Sequence, residues 1–307
     1  AVQRLIDHGI VEFSGPSWPQ SQLQAHQLAA RAILEDAPPQ QVADLAELLV
    51  TELGDEQGEA SDRVVVSATE VQAIVRRLIA AGLIPVRGRA RAYRLLAELE
   101  LWSDQSTAHL AAAEEGLRLA PRDLSTAQPE DLRILARLLT AAAGAHGLLR
   151  HEQEQRALMA RALDVYDHRL TLLDAANVEE RAELELDRGE VLAALGRDAE
   201  AAESYRRSID GLRQTIQRDD PRSHRDLAVL RFKLGQALQR LDCHEEAAHE
   251  LATAVEILAN HVEDSNFVQA LFLGELERSQ QRLGMVPERA QSLNRVVTLV
   301  RDLGPNV

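Results

Sequence analysis

The segment CHEEAAHE, residues 243–250, places the chain's one cysteine beside two histidines and three glutamates, which are side chains that can bind metal ions. A zinc metalloprotease helix carries its two histidine ligands four residues apart, on one face. His244 and His249 are five residues apart, which separates them by about 140° around an α-helix. The spacing therefore predicts no metal and no cofactor here, and it makes a metal-dependent hydrolase the least favoured of the functions considered.

Other residues that could do chemistry are isolated. His109 occupies a packing position, and His146 falls on the inward face of a predicted helix. The sequence contains no GxxxxGK[ST] phosphate loop, and no serine–histidine–aspartate order or carboxylate pair stands out. We therefore predict a protein that is not an enzyme.

The net charge of −15 opposes non-specific binding to nucleic acid, because the chain repels a polyanion. One stretch is locally basic. Its arginines are Arg76, Arg77, Arg87, Arg89, Arg91 and Arg94. No aromatic residues alternate with them, so a solvated helix face that offsets nearby carboxylates is favoured over a nucleic-acid site.

Aromatic residues make up only 3% of the 307, while leucine, alanine, glutamate and arginine dominate, which favours an all-α fold. The single cysteine and the lack of a long uncharged apolar segment predict a cytoplasmic protein without a membrane span. The chain opens AVQRLIDHGIVEF without an initiator methionine. We expect it to be part of a longer protein.

An internal repeat organises residues 89–307. Steps of 46 residues connect small residues in two columns and apolar residues in two others, with one predicted turn in each unit. The apolar columns are Leu117, Leu163, Ile209, Val255 and Ala113, Met159, Tyr205, Leu251. The small columns are Ala97, Ala143, Gly189, Gly235 and Gly116, Ala162, Ser208, Ala254. The turns fall at Asp104, Arg150, Gly196 and Asp242. This pattern predicts helical hairpins whose backbones approach closely at the small residues.

The pattern resembles the tetratricopeptide repeat (TPR) family, most clearly at Gly189, Ala201, Tyr205, Gly235 and Ala247. The resemblance implies a right-handed α-α superhelix of about five hairpins, the fifth of them degenerate and covering Leu271–Val300. The 46-residue step exceeds the usual repeat of about 34 residues. It resembles instead the long repeats of kinesin light chains and of many bacterial signalling proteins.

Residues 1–88 form a separate, mainly helical region. Ser67 and Glu70 have the spacing of a capping box, which predicts a helix over 68–81 ending at Gly82. Residues 2–11 and 75–84 both resemble the end of a winged helix, and the first is similar to the junction before the repeats of NB-ARC or STAND regulators. That resemblance implies a nucleotide-binding domain upstream of these residues. The alternative is a pair of ordinary helix ends with glycine caps.

The TPR resemblance implies that the first helix of each hairpin lines a concave groove. The groove residues carried over are Arg91, Arg94, Glu98, Arg137, Thr140, Glu183, Glu190, Phe232, Lys233, Gln236, Gln239 and Arg240. Basic residues lie at both ends of this series and acidic ones between them, which suits a protein or peptide ligand of mixed charge. We predict a protein-binding scaffold or sensor; the alternative is the ligand-sensing half of a nucleotide-switch regulator.

Overall fold

The computed structural model describes residues 72, 75, 76, 79, 80, 82, 84, 86–102, 106–174, 176–215, 221–262 and 265–303. The first winged-helix-like segment, the start of the capping-box helix and the predicted turn at Asp104 lie outside these residues. No helix in the described part is both long and apolar enough to cross a membrane.

The described chain folds into helices that follow one another in pairs. The pairs are α1 Val86–Trp102 and α2 Ser106–Leu119; α3 Pro129–Leu148 and α4 Glu152–Leu172; α5 Val178–Ala194 and α6 Asp198–Thr215; α7 Pro221–Arg240 and α8 His244–His261; α9 Asn266–Arg282 and α10 Val286–Leu303. The predicted all-α architecture of helical hairpins is confirmed. The fifth hairpin begins five residues before the predicted Leu271, because α9 starts at Asn266.

Tight turns join the two helices of each of the last four hairpins. Arg150, Gly196, Asp242 and Gly284 have φ angles of 62°, 74°, 59° and 70°, in the left-handed region that ends a helix abruptly. The turns predicted at Arg150, Gly196 and Asp242 are therefore confirmed. Two of these residues, Arg150 and Asp242, stand where glycine is usual. A short polar side chain such as that of Asp242 tolerates the left-handed conformation well.

The chain divides into two compact units, residues 1–162 and 163–307, and the division falls within α4. In the first unit, Leu95 and Leu99 of α1 pack with Val75 and Ile84. A second cluster joins Ala97, Ala113 and Ala142 with the partly buried Leu158 and its neighbours. The small column predicted at Ala97 thus lies at a close helix contact.

The core of the second unit joins α8 to the helices on either side of it. Leu251, Ala254 and Leu258 of α8 pack with Ala228 of α7 and Phe272 of α9. Side chains from three consecutive helices share this cluster, so each hairpin completes its core only by packing on the next, as repeat proteins do.

The region before α1 is described at a few positions only. Residues 72, 75, 76, 79 and 80 are helical and Gly82 has a φ of 69°, which agrees with a helix ending at Gly82. The winged-helix resemblance implies a short strand after Gly82, but Ile84 lies in a bend, with its side chain buried against α1. The proposed division into domains 1–88 and 89–307 stays a prediction.

Candidate functional site

The CHEEAAHE segment is the start of α8. Cys243 is exposed at the turn, and Glu245 and Glu246 lie in the first helical turn, where the helix dipole favours negative charge. Ala247 is fully buried, whereas His249 is exposed. In the described part of the chain, no three histidine, cysteine, aspartate or glutamate side chains group closely enough to hold a metal ion.

His109 in α2 is 1% exposed, and neither of its ring nitrogens has a hydrogen-bond partner. Burial lowers the pKa of this imidazole, because the charged form would lose its hydration. This burial agrees with the packing position that its repeat column predicts for His109.

The basic stretch before and within α1 pairs with acidic side chains. Arg76 contacts Glu100, Arg91 reaches Glu130 at 2.8 Å, and Arg94 donates to Glu98 at 2.8 Å. These contacts agree with a helix face that offsets nearby carboxylates. Arg77 and the side chain of Arg87 lie outside the described residues.

The groove residues predicted in the first unit form a charged network between α1 and α3. Glu98 accepts from the buried Arg94 and lies 3.8 Å from Arg137 of α3. Thr140 donates its hydroxyl to the Arg137 carbonyl at 3.0 Å. The structure thus brings these residues together, but Arg94 and Glu98 form an ion pair with each other.

Glu130, at the start of α3, pairs with an arginine of each helix. Burial raises the pKa of its carboxyl, but hydrogen bonds and charges from Arg133 and Arg91 outweigh burial and lower the pKa overall. Glu130 is 41% exposed, so the pairs contribute little stability and mainly fix the orientation of α1 against α3.

In the second unit, the predicted groove residues lie on the adjacent first helices α5 and α7. Lys233 Nζ is 2.7 Å from Glu190 Oε1, which joins the two helices. Arg240, at the end of α7, contacts Asp198 at 2.5 Å, at the start of α6. Both pairs are partly exposed to solvent, and each contributes about 0–1 kcal/mol.

The same face continues from α7 to α9. Phe232 stacks on Phe272, with ring centroids 4.0 Å apart and planes 9° from parallel. Gln239 donates to the Glu275 carbonyl at 2.8 Å and to the Ser279 hydroxyl at 2.9 Å. Gln236 lies half-buried between these contacts on α7. Three first helices therefore lie side by side in this unit.

Sequence reasoning missed the contribution of α9 to this face. Leu271, Gly274 and Arg278 form an exposed row on α9, and Leu271 is 53% exposed. The sequence did indicate that α9 belongs to this face, because the shorter step of 42 residues into the fifth hairpin aligns Leu271 with Val229 of α7. We call the surface formed by Glu183, Glu190, Phe232, Lys233, Gln236, Leu271 and Arg278 the α5/α7/α9 face.

A cleft of about 490 Å³ lies between α5 and α6 in this unit. Glu185 and Arg207 lie 3.4 Å apart in its lining, and Arg207 also bonds Glu203. The second oxygen of Glu185 is buried without a hydrogen-bond partner. The cleft therefore contains a negative and a positive side chain, which already form an ion pair with each other.

Solved structures share this architecture at low sequence identity. BtubC (BKLC) from P. vanneervenii is 15% identical with a TM-score of 0.56, over 80% of this chain and 93% of its own. The putative kinesin light chain of Podosopora anserina, with nearly identical TPR-like repeats, is 18% identical with a TM-score of 0.54, over 71% and 98%. A Rap protein complexed with competence and sporulation factor is 13% identical with a TM-score of 0.51, over 93% and 77%.

No protein-family model matches the chain. No curated protein matches its sequence. The structural likeness and the helical hairpins agree with the small-residue columns of the sequence, and together they establish that the described residues have the TPR-like solenoid fold.

Proposed function

We propose that this chain is a non-enzymatic scaffold that binds a protein or peptide segment on the α5/α7/α9 face. The alignment of three first helices carries the proposal. Lys233 joins α7 to α5 through Glu190, and Phe232 joins it to α9 through Phe272. Side chains from all three helices then form one surface, as a ligand several residues long requires.

The chemistry of the face favours a ligand with an apolar anchor and charges of both signs. Leu271 offers an apolar side chain that is 53% exposed, and covering that exposed half would contribute about 1–1.5 kcal/mol. Glu183 and Glu190 are exposed on α5, and Arg278 is exposed on α9. Charged groups at the rim orient a ligand more than they strengthen its binding.

A structural neighbour supports a binding role for this fold. The Rap protein that resembles this chain was solved as a complex with competence and sporulation factor. The likeness to the Rap protein concerns the fold only. The α5/α7/α9 face is proposed from the contacts of this chain alone.

The test starts from a random-peptide library selected on the immobilised chain, since the ligand is unknown. Affinities of the selected peptides are then measured by fluorescence anisotropy for Leu271→Asp and for Leu172→Asp. Leu172 is the matched control, because it is 52% exposed but lies on the second helix α4. We expect Leu271→Asp to weaken binding by about tenfold or more, and Leu172→Asp to change it less than about twofold.

Equal affinities for the two variants would place the binding surface elsewhere, and a library that yields no binder would contradict peptide binding itself. Circular dichroism spectra of both variants check that helical content is unchanged.

A charge exchange tests the polar part of the proposal. Glu190→Lys combined with Lys233→Glu keeps the ion pair between α5 and α7 but reverses the charges that a ligand meets. We expect unchanged stability and weakened binding. Retained affinity in the exchanged variant would show that these charges are not recognised.

The regulatory alternative stays a prediction. Its first winged-helix-like segment lies outside the described residues, and the second ends in a bend at Ile84. A phosphate loop in the reading frame upstream of Ala1 would support an attached nucleotide switch.

A further inference from the structure

The turn between α3 and α4 holds two histidines in contact. The His151 amide donates to the His146 carbonyl at 2.8 Å, and the Arg150 amide donates to the Gly147 carbonyl at 3.1 Å. With Arg150 at a φ of 62°, these bonds form a Schellman motif. That motif brings the side chains at its two ends together, and here both ends are histidine.

The backbone of this turn recurs in the later hairpins, but the histidine pair does not. The residues at the two ends of the equivalent motifs are Leu192 and Arg197, Leu238 and Cys243, and Gln280 and Met285. The motif ordinarily pairs apolar side chains at these positions. The two histidines are therefore a local departure from the repeat, and packing alone does not require them.

The separation of the two ring nitrogens matches a chelate. The Nδ1 atoms of His146 and His151 are 3.2 Å apart. Two nitrogens bound to one metal ion at about 2.0–2.1 Å, with an angle between 90° and tetrahedral, are separated by about 2.9–3.4 Å. The rings are tilted by 47° with centroids 5.4 Å apart, so they are not stacked.

We propose that His146 and His151 bind one divalent transition-metal ion, of the Cu²⁺, Ni²⁺ or Zn²⁺ class, through their Nδ1 atoms. Imidazole nitrogen suits these ions, whereas Mg²⁺ and Ca²⁺ prefer oxygen ligands. Without the ion, one Nδ1–H donates to the other Nδ1. Metal binding replaces that hydrogen bond, and the ring that donated it carries its proton on Nε2 instead.

The site is open and preorganised. His151 is exposed and His146 is half-buried, so the ion enters from solvent and water completes its coordination. The two backbone hydrogen bonds already fix the main chain from which both rings project, so the loss of conformational entropy on binding is confined to the side chains. The bound ion ties the end of α3 to the start of α4, and the site is independent of the α5/α7/α9 face.

A second histidine pair in the chain provides a matched control. His224 and His261, on α7 and α8, have centroids 4.1 Å apart and planes only 20° from parallel. Nearly parallel stacked rings direct their nitrogen lone pairs in separate planes, so they do not converge on one ion. His151→Ala and His261→Ala each remove the exposed member of a pair.

The experiment is isothermal titration calorimetry of the untagged chain with NiCl₂, ZnCl₂ and CuCl₂, and with MgCl₂ as a negative control. We expect one site that His151→Ala weakens by about tenfold or more and that His261→Ala retains. Electron paramagnetic resonance of the Cu²⁺ complex should show two nitrogen ligands in the wild type and one in His151→Ala. Undetectable binding to the wild type, or equal affinities of the two variants, would overturn the proposal.

Discussion

Replacing Gly235 by alanine tests how closely α7 and α8 pack. A Cβ atom at Gly235 would lie 2.6 Å from Leu251 Cγ and 2.9 Å from its Cδ2. Leu251 is fully buried, and its nearest atom is the branch point of the side chain, which rotation about the outer bonds cannot move. Either the leucine or the helix must therefore shift.

The size of the effect follows from two opposing terms. Overpacking a core costs about 1–3 kcal/mol, while alanine is favoured over glycine in a helix by about 1 kcal/mol. We expect Gly235→Ala to lower the free energy of unfolding by about 0–2 kcal/mol. Gly274→Ala is the control, because a Cβ atom added at Gly274 would meet nothing within 4 Å, and it should raise stability by about 0.5–1 kcal/mol.

Urea unfolding followed by circular dichroism measures both variants. Leu251→Ala provides the second arm, since Gly235→Ala should stabilise the chain once the leucine is removed. The repeat itself supports this expectation: the residues equivalent to Gly235 and Leu251 in the first hairpin are Ala97 and Ala113, both fully buried. Equal stability changes for Gly235→Ala and Gly274→Ala would refute the close contact.

Two further predictions concern pH. Burial, with the charge of Glu190, raises the pKa of Tyr205, so above about pH 10 the unfolded chain loses this proton first and stability falls. Tyr205→Phe should lose less stability between about pH 9 and pH 11 in urea titrations. Burial lowers the pKa of His109, so protonation favours the unfolded chain below about pH 6.5, and His109→Leu should raise stability by about 1–2 kcal/mol, most at low pH.

An identical alkaline loss of stability in Tyr205→Phe would show that this phenol ionises normally in the folded chain. A destabilised His109→Leu variant would show that the imidazole makes favourable contacts that leucine cannot replace.

The repeat pattern predicted the hairpins because close helix packing constrains residue size. Gly189 shows the constraint directly: its Cβ would lie 2.6 Å from the ring of Tyr205, which occupies the large apolar column of the same hairpin. Left-handed turns constrain the chain in a similar way. Gly196 therefore marked a turn in the sequence as well as in the structure.

The charges of the candidate site were less predictable. The repeat spacing placed Arg94 and Arg137 on the first helices of their hairpins. It did not predict that both side chains contact Glu98. Side-chain pairing depends on how neighbouring hairpins align, which the repeat period does not specify. The 42-residue step aligns Leu271 with a residue of α7, but its exposure could not be predicted from that step, since it depends on where the degenerate fifth hairpin packs.

The segment CHEEAAHE, which is rich in possible metal ligands, also differs from the pair of histidines that the fold brings together. In CHEEAAHE, His249 is exposed on α8 and His244 lies at its start, near Asp242 at 3.6 Å. His146 and His151 have the same spacing of five residues, but a helix-ending turn lies between them. Spacing alone therefore did not distinguish a helix, which separates such residues, from a Schellman turn, which joins them.

The most direct test of the central claim is a methyl NMR titration of the chain with a peptide selected from the library. The α5/α7/α9 face predicts that the methyl resonances of Leu271 shift on binding while those of Leu172 stay in place. Shifts at Leu172 with an unchanged Leu271 would contradict the assignment of the binding surface.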